Sequence, residues 1–385
     1  MSAPAAEGLA FEIERAPLHA ALQAVLRTVE KRNTIPILGH FHLSAIGEDV
    51  HIRGTDLDVE TVARIKADVR SEGTCTVPAQ RLAEIVALTS SGVRISIEAK
   101  ANRSTLVRAG RSRYTLPGLP TEDFPELRTN KLEADATTRF DLPGSAVAAA
   151  ISAVSFAIST EETRYYLNGI FVHAVDTPDG TLLRACTTDG KALARYDLGL
   201  VDDAADLPEV IIPRKAVELL KRVAESAGDQ PVRFAVGRTL IRFEAGDVAV
   251  LSKLIDGTFP KYDAVIPQNN NHTITVASAA LVTAAKRVGL LSSDDMRPVV
   301  FMIEGDKLTL SAVTTDGGEA VDEVDIENDG DRRRVAFSSR LLSGLLGALP
   351  ADVVALQLGP NPGDPAIFRP AADSPNLCVL MPFRA

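Results

Sequence analysis

The sequence predicts an α+β protein made of three similar domains, each with antiparallel sheet and two helices. Its 385 residues exceed the length over which one core keeps growing. One arrangement of a helical run and short β-type runs returns about every 125–135 residues, close to the commonest domain size. Helices on one face of antiparallel sheet are the usual packing of such units. We therefore expect domains at residues 1–132, 133–268 and 269–385.

The clearest copy of the repeated arrangement lies at residues 212–262. It contains a helical run over residues 216–224, where apolar side chains recur at helical spacing. Three short runs with strand character follow, at residues 232–236, 240–244 and 248–254. The other two copies have the same order of elements and occupy residues 77–127 and 337–381.

Each third also opens with a helix and strands of its own. In the first third, apolar residues recur at helical spacing from Leu18 to Val29, and residues 55–63 alternate as a strand does. The dipeptide Thr-Asp recurs in step with the repeat, beginning at Thr55, Thr188 and Thr315. Further predicted strands are 41–45, 50–54, 140–142, 166–174, 182–187, 274–276, 299–303 and 307–312, and further predicted helices are 145–157 and 279–291.

Composition describes an ordinary globular protein, with 45% hydrophobic and 24% charged residues. No apolar run approaches the roughly 18 residues that span a bilayer, and the first ten residues lack the features of a secretory signal. The three cysteines, Cys75, Cys186 and Cys378, are odd in number and form no C-x-x-C pair, which argues against a disulfide framework or a zinc site and suits a reducing cytoplasm. We expect a cytoplasmic protein with no membrane partner.

The positive charges concentrate on the predicted helices, although the net charge is −10. On one helix, lysine and arginine are most simply explained as solvated helix formers. Their recurrence on at least four helices favours a shared basic surface, which an acidic protein can still present to nucleic acid. The cations concerned are Lys31, Arg32, Arg214, Lys215, Lys221, Arg222, Lys286, Arg287 and Arg340.

No set of residues predicts catalysis. The Gly-Lys at Gly190 lacks the upstream glycine and the following Ser or Thr of a phosphate-binding loop, so a β-turn is expected there. Asp56, Asp58 and Glu60 alternate and would share a strand face, and a solvated face is favoured over a metal site. His40 also shares a face with His42, but no further ligand joins them. We predict no catalytic residue, no metal and no cofactor.

Eight short strings in the chain resemble, in order, the bacterial replicative sliding clamp, the β subunit of DNA polymerase III. The match runs from about Phe11 to the C-terminus and agrees with the threefold repeat. The resemblance implies a non-enzymatic processivity factor, a head-to-tail homodimer whose six domains close a ring around duplex DNA with sheets outside and helices inside. The strings lie at residues 34–39, 54–58, 108–114, 123–125, 164–169, 188–193, 256–262 and 381–385.

The resemblance also implies contacts for DNA and for the second subunit. DNA-contacting positions would be Arg32, Arg164, Tyr165 and Tyr166, added to the helix cations Lys31, Arg214, Lys215 and Arg222. Binding would involve phosphates without base readout. Packing of the tyrosine pair at a strand start remains an alternative. Dimer contacts would be Ile85, Arg113, Leu116, Leu290 and Leu291, with Glu319, Asp322 and Glu323 meeting Arg111 and Arg113.

In this family a groove between the second and third domains captures short linear motifs. The implied partners are the DNA polymerase III α subunit, the clamp-loader δ subunit, other polymerases, and mismatch-repair or ligase proteins. Lys191, Ala192, Ala264 and Phe383 depart from the family pattern and put the motif preference in question. The implied wall is Leu167, Thr188, Gly190, Lys191, Leu193, Pro260, Val265, Val379, Leu380, Met381, Pro382, Phe383 and Arg384.

Two other function classes remain as alternatives. An enzyme with a site between domains would need clustered acid and base residues in one pocket. A scaffold that binds only proteins would need no basic surface. A simpler role for residues 377–381, as a last strand filling the core, is compatible with a groove because a strand can end at one.

Overall fold

The computed structural model describes residues 8–31, 34–127, 132, 137–201, 204–291, 298–349, 351–371 and 374–383. Its helices are α1 (Arg15–Leu26), α2 (Ala79–Leu88), α3 (Gly144–Val154), α4 (Arg214–Ala227), α5 (Ser278–Gly289) and α6 (Ser339–Ala348). Its strands are β1 (Ala10–Glu14), β2 (His40–Ile46), β3 (Asp49–Thr55), β4 (Val59–Lys66), β5 (Asp68–Ser71), β6 (Gly73–Pro78), β7 (Arg94–Ala99), β8 (Ser104–Ala109), β9 (Ser112–Pro117), β10 (Thr138–Pro143), β11 (Gly169–Thr177), β12 (Gly180–Thr188), β13 (Ala192–Leu200), β14 (Val210–Pro213), β15 (Pro231–Val236), β16 (Leu240–Ala245), β17 (Val248–Lys253), β18 (His272–Ala277), β19 (Pro298–Glu304), β20 (Lys307–Val313), β21 (Glu319–Asn328), β22 (Arg333–Ser338), β23 (Val353–Leu358), β24 (Ala366–Arg369) and β25 (Leu377–Leu380).

The chain forms two compact units. The first comprises the described residues of Met1–Ser145 with Glu218–Lys253, and the second those of Ala146–Val217 with Leu254–Ala385. All strand pairs in both units are antiparallel among the described residues, which confirms the α+β prediction.

Two sheets and helices α1 and α2 enclose the core of the first unit. One sheet has the strand order β5-β1-β7-β8-β9 and the other β10-β15-β16-β17-β4-β3-β2-β6. Leu18, Leu22 and Val25 of α1 are fully buried, as their spacing predicts. The helix ends at Leu26 instead of continuing to Val29, because the amides of residues 28 and 29 bond three residues back and tighten the last turn.

The second unit contains one sheet with the order β14-β11-β12-β13-β25-β24-β23-β18-β21-β20-β19-β22. Helices α5 and α6 pack against each other through apolar faces. Leu281 and Val288 are buried on α5, and Leu341 and Leu345 on α6. The recurrence of these leucines at helical spacing explains why the sequence folds into helices here.

Within each unit, the last strand of one copy of the repeat forms a ladder with a strand from the preceding third of the chain. In the first unit, β17, the last strand of the second copy, pairs with β4, the strand after the first Thr-Asp. In the second unit, β25, the last strand of the third copy, pairs with β13, the strand after the second Thr-Asp. The same kind of pair therefore joins the second copy to the first third of the chain and the third copy to the second third.

The Thr-Asp dipeptides form turns, which corrects the prediction of a strand through residues 55–63. The Asp56 carboxylate accepts hydrogen bonds from the amides of Asp58 (2.9 Å) and Val59 (2.7 Å), and Leu57 has φ of 81°. This side-chain turn reverses the chain before β4 begins. The predicted shared face of Asp56, Asp58 and Glu60 does not exist, because Glu60 is buried at 5% exposure.

A second turn of this kind precedes β13. The Asp189 carboxylate accepts from the amides of Lys191 (2.8 Å) and Ala192 (2.7 Å), and the Thr188 hydroxyl donates to the Ala192 carbonyl (2.7 Å). In the last third of the chain, the hydroxyl of Thr314, the residue before Thr315, donates to the Gly318 carbonyl. Local side-chain chemistry thus repeats with the larger fold.

The strand predicted from residue 166 begins later. Glu162–Leu167 forms a 3₁₀ helix, and β11 starts at Gly169. A side chain at Gly169 would place its Cβ 2.2 Å from the Ile212 carbonyl oxygen on β14. The close approach of β11 to β14 therefore requires glycine at this position.

Candidate functional site

An apolar cluster in the second unit brings together several of the predicted groove residues. Leu167, Leu193 and Val379 are 4%, 2% and 5% exposed and lie in one cluster. They come from the 3₁₀ helix Glu162–Leu167, from β13 and from β25, three segments far apart in sequence. Around them, Val265 is 59% exposed and Met381 is 44% exposed. A buried floor with apolar side chains at the rim suits an anchored apolar peptide.

Stacked aromatic rings support one wall of this groove. Phe259 stacks on Phe171 with ring centroids 4.7 Å apart and planes 3° apart. Tyr262 meets both rings edge-on, with centroids 6.5 Å away. Tyr262 begins the short 3₁₀ helix Tyr262–Val265, which carries Val265. The exposed Pro260 lies between the two supporting aromatic residues in sequence. The aromatic packing fixes where this wall stands.

The tail of the chain forms the other wall and is tied at two points. The Met381 amide donates to the Lys191 carbonyl (2.9 Å), and the Phe383 amide donates to the Ala336 carbonyl (2.6 Å). Pro382 is half-buried between them, whereas Arg384 lies outside the described residues. These bonds place Met381 beside the turn that contains Gly190.

Leu380 does not line the groove, contrary to the prediction. Its side chain has 0% exposure. Val379 and Leu377 belong to the groove cluster, and successive residues of a strand point to opposite faces. Leu380 therefore packs on the other side of β25. The sequence could have revealed this, because alternation along residues 377–381 already separates the two faces.

A hydrogen-bonded polar cluster lies behind the Tyr262 wall. The Arg184 guanidinium donates to both carboxylate oxygens of Asp197, at 2.6 and 2.9 Å, and this bond raises the pKa of Arg184. Burial raises the pKa of the Tyr262 phenol, and the nearby Arg184 guanidinium only partly opposes this. The Tyr262 hydroxyl and His173 Nε2 are 2.9 Å apart. The cluster was missed because its members are far apart in sequence.

Two of the predicted DNA-contacting residues of the first unit are exposed. Lys31 and Arg222 both lie on the surface, and Arg32 is outside the described residues. On α4, Lys221 is 3.9 Å from Glu225, one helical turn later. The amphipathic pattern of α4 is confirmed, because its apolar residues are buried. Phosphate contact remains a prediction for these cations.

Arg214 differs from the exposed cations with which it was grouped. Its Nη2 donates to the carbonyls of Ile158 and Ser159, both at 2.9 Å, in a partly buried position. The guanidinium therefore stabilises the chain after α3 and is not directed freely to solvent. Lys215, the next residue, is also partly buried. Sequence spacing alone could not separate these two from Arg222.

Arg164, Tyr165 and Tyr166 lie on the 3₁₀ helix, and not at a strand start. Arg164 pairs with Glu161 at 2.7 Å, and Tyr165 is 53% exposed. The tyrosine rings meet edge-on with centroids 5.8 Å apart. Tyr166 packs against the groove cluster. Tyr166 therefore has the packing role that was the alternative to DNA contact, whereas the exposed Tyr165 is available to a ligand.

The predicted dimer residues are divided between surface and core. Arg111, Arg113 and Glu319 are exposed, Leu290 is 80% exposed, and Ile85 and Leu291 are partly buried. Leu116 is 6% exposed and packs in the core of the first unit, and its contact with a second subunit remains a prediction. Tyr114, two residues earlier on the same face of β9, is 39% exposed. Leu88 at the end of α2 is 89% exposed, and neither residue was predicted.

Searches for metal and membrane features give negative results over the described residues. No three His, Cys, Asp or Glu side chains there are placed to hold a metal ion. None of the helices in the described ranges is long and apolar enough to span a bilayer. His40 and His42 do share a face of β2, and burial lowers the pKa of both.

Comparison with protein families gives three matches in chain order. The N-terminal, central and C-terminal domains of the DNA polymerase III beta subunit match residues 9–128, 141–261 and 263–384. Among curated proteins, the beta sliding clamp of Caulobacter vibrioides strain NA1000 is 38% identical over 97% of this chain and 99% of its own. That of Escherichia coli K12 is 32% identical over the same shares.

Solved structures agree with these matches. The Caulobacter crescentus beta sliding clamp, crystallised with PEG, has a TM-score of 0.92 and 36% identity, covering 99% of this chain and 100% of its own. The sliding clamp of Pseudomonas aeruginosa bound to griselimycin has a TM-score of 0.90 and 32% identity, covering 98% and 100%. The chain belongs to the DNA polymerase III beta subunit family, the bacterial beta sliding clamps.

Proposed function

We propose that this chain is a sliding clamp that acts as a processivity factor for DNA polymerase III. Like its family, it is a non-catalytic accessory subunit. It encircles duplex DNA without sequence preference and tethers polymerase through the groove described above. The main support for the proposal is the strand pairing that recurs along the chain. One more pair of the same kind, made between two chains, can close a ring.

The strand pairs leave one junction to be completed. Pairs β17–β4 and β25–β13 each join the last strand of one copy to the strand that follows the Thr-Asp turn in the preceding third of the chain. The remaining last strand is β9, at the edge of its sheet, and the remaining post-turn strand is β21. β21 pairs with β18 only through residues 326–328, so residues 319–325 have one edge without a strand partner among the described residues. We infer that β9 of one protomer pairs with β21 of another.

The chemistry of the two edges supports that pairing. The β9 hairpin carries exposed Arg111 and Arg113, and β21 carries exposed Glu319. Val321 on β21 is 58% exposed and Tyr114 on β9 is 39% exposed, so each edge offers an apolar side chain. Opposite charges and apolar pairs across strands stabilise antiparallel sheet. Two such head-to-tail junctions would close a homodimer, as heterologous interfaces do when their rotation closes.

The proposed domain boundaries remain 1–132, 133–268 and 269–385. The family matches support three domains in this order, although the third match begins at residue 263. Packing does not distinguish the two boundaries, because the cluster that contains Tyr262 and Ile266 includes both Leu167 of the second domain and Val379 of the third.

For DNA, we propose contact with phosphates, without base readout. Lys31, Arg32, Arg164, Tyr165, Tyr166, Lys215 and Arg222 remain candidates, whereas Arg214 is assigned to positioning the chain after α3. Contacts with phosphates alone would be weakened by salt and would permit sliding. A protein-only scaffold would predict no loss of DNA retention when Arg32, Lys215 and Arg222 are replaced together by glutamine.

For partners, we propose capture of short peptides from the DNA polymerase III α subunit, the clamp-loader δ subunit, other polymerases, and repair or ligase proteins. The relatives from Bartonella birtlesii and Pseudomonas aeruginosa bind griselimycin, which supports a ligand groove in this family. Such work would take place in the cytoplasm, on the nucleoid during replication.

The groove is tested by Val265→Asp. Val265 is 59% exposed, so the change leaves the core intact but places a carboxylate in an apolar site. Affinity for a labelled peptide carrying the clamp-binding motif of the host's own α subunit should fall by about 50-fold or more. Val353→Asp, at a 42% exposed valine of the same unit, is the matched control and should bind normally. Equal affinity of the parent and the Val265 variant would refute the assignment.

A further inference from the structure

One arginine outside the predicted groove residues contacts one groove wall and the segment that leads into the other. Arg195 on β13 places Nη1 3.6 Å from the Asp263 carboxylate, and Asp263 lies in the 3₁₀ helix that carries Val265. The same guanidinium donates from Nε (3.3 Å) and Nη2 (2.9 Å) to the carbonyl of Pro375. Pro375 lies just before β25, which leads into Met381. The planar guanidinium of Arg195 therefore joins the 3₁₀ helix that carries Val265 to the segment that enters β25.

A second bridge runs parallel to the first and lies deeper. Asp197, two residues along β13, accepts hydrogen bonds from the Arg184 guanidinium, and this guanidinium interacts electrostatically with Tyr262 at the start of the Val265 wall. The Asp197 amide donates to the side-chain oxygen of Asn376 (2.8 Å), beside Pro375. Arg195 and Asp197, alternate residues of β13, thus each connect the segment of Tyr262 and Val265 with the segment that enters β25. The side chains of Arg184 and Asp197 are 14% and 10% exposed, so this bridge is well shielded from water.

The chemistry of arginine fits the outer bridge. A guanidinium offers five donors in a fixed plane, whereas a lysine ammonium is a compact charge on a flexible stem. Two of the donors meet the Pro375 carbonyl and a third nitrogen faces Asp263. The contact with Pro375 is the stronger part, because the Asp263 carboxylate is 70% exposed and water weakens its attraction.

We propose that Arg195 is a positioning residue that fixes the distance between the groove walls and so sets the affinity for partner peptides. The proposal rests on the proposed function of the groove. Arg195 does not touch the peptide; it holds Val265 and Met381 at the spacing that the peptide requires. A groove whose walls move apart must be reordered at each binding event, and this lowers affinity and shortens residence.

The test compares Arg195→Gln with the parent, using the labelled α-subunit peptide and, as a second probe, griselimycin. We expect peptide affinity to fall about 5- to 20-fold, mostly through faster dissociation. Asp263→Asn, which leaves the Pro375 contact intact, should cost only about 2- to 4-fold. The double variant should bind no worse than Arg195→Gln, because both changes remove the same bridge. Arg195→Lys should be intermediate, since its ammonium reaches Asp263 but not both walls.

Controls separate positioning from general stability. Arg233→Gln, in the other unit, removes an arginine that is 3.1 Å from Glu244 and should leave peptide affinity unchanged. Melting temperatures of the two arginine variants should be alike. A loss of peptide affinity no greater in Arg195→Gln than in Arg233→Gln would overturn the proposal.

The outcomes also separate this proposal from the groove itself. If Val265→Asp abolishes peptide binding and Arg195→Gln binds as the parent does, the groove stands and the positioning role is wrong. If Val265→Asp binds normally, the groove assignment fails, and any effect of Arg195 must have another origin. A strict additive loss in the double variant would likewise contradict one shared bridge.

Discussion

The Arg164 guanidinium lies directly against Gly190. A methyl group added at Gly190 would stand 2.9 Å from Arg164 Nη1. Gly190 also has φ of 86°, a conformation that side chains disfavour. The turn at the groove and the 3₁₀ helix with the exposed Tyr165 are therefore in contact, so a change at one alters the other.

Gly190→Ala should reduce both stability and peptide affinity. The left-handed backbone alone costs about 1–2 kcal/mol for an L-residue, and the methyl group must also displace Arg164. Gly246→Ala is the matched control, because Gly246 has φ of 55° but open space around its Cβ position. Urea unfolding should show a loss in both variants, whereas fluorescence anisotropy should show weaker peptide binding only in Gly190→Ala. Equal peptide affinity in the two variants would contradict the contact.

The Arg184–Asp197 pair should matter far more to stability than an exposed pair. Asp197→Asn leaves a shielded guanidinium without its charge partner, which should cost about 3 kcal/mol. In contrast, Asp247→Asn breaks a contact with Arg64 whose side chains are 54% and 61% exposed, and should change little. Urea unfolding of both variants at one pH makes the comparison. Similar losses in the two would show that burial does not control the energy of these pairs.

Glu60 predicts a specific dependence of stability on pH. Burial raises the pKa of its carboxyl above the usual 4.5, and the attraction of Arg53 only partly opposes this. The folded chain therefore binds this proton more tightly than the unfolded chain, so the contribution of Glu60 to stability falls as pH rises above 4.5. Glu60→Gln has no carboxyl to titrate at this position and avoids the loss. The free energy of unfolding of the variant minus that of the parent should therefore be greater at pH 7.5 than at pH 4.5.

The control for Glu60 is Glu126→Gln, which removes another partner of Arg53. Glu126 is 72% exposed and 2.7 Å from Arg53, so burial adds no cost to its charge. Urea unfolding at pH 4.5 and 7.5 should give no gain for this variant at the higher pH. A gain of Glu60→Gln that grows toward pH 4.5 would reverse the predicted sign.

The proposed β9–β21 junction predicts rescue by charge exchange. Arg113→Glu and Glu319→Arg should each weaken the dimer, because like charges would then face each other across the strands. The variant with both changes should recover most of the affinity. Sedimentation velocity over a range of concentrations measures the effect, with Arg238→Glu, at an exposed arginine in another hairpin, as control. Failure of the exchange to restore association would exclude direct pairing of these two residues.

Periodicity predicted most of the helices and strands because burial controls them. The predicted runs at residues 232–236 and 307–312 became β15 and β20, and Leu18 and Leu22 of α1 are buried as their spacing requires. The run at residues 55–63 failed for a local reason. Its alternation resembles a strand, but the Asp56 carboxylate caps two amides and turns the chain.

The site could be predicted only in part, since resemblance identifies positions but not side-chain exposure. Leu116 and Leu380 match positions of family contacts and yet are buried, whereas Tyr114 is exposed. Arg214 and Arg222 lie on one helix, but only Arg214 is within reach of the carbonyls of Ile158 and Ser159. Such differences depend on packing between distant segments, which a single sequence does not encode in any local pattern.

The proposed function requires the chain to hold DNA by enclosing it. The most direct measurement loads the protein onto nicked circular duplex and onto the same duplex made linear, then follows its retention at moderate salt. An enclosing ring should remain on the circle and be lost from the linear form by sliding off the ends, because weak phosphate contacts do not hold it. Equal loss from the circular and linear forms would show that the protein does not enclose DNA.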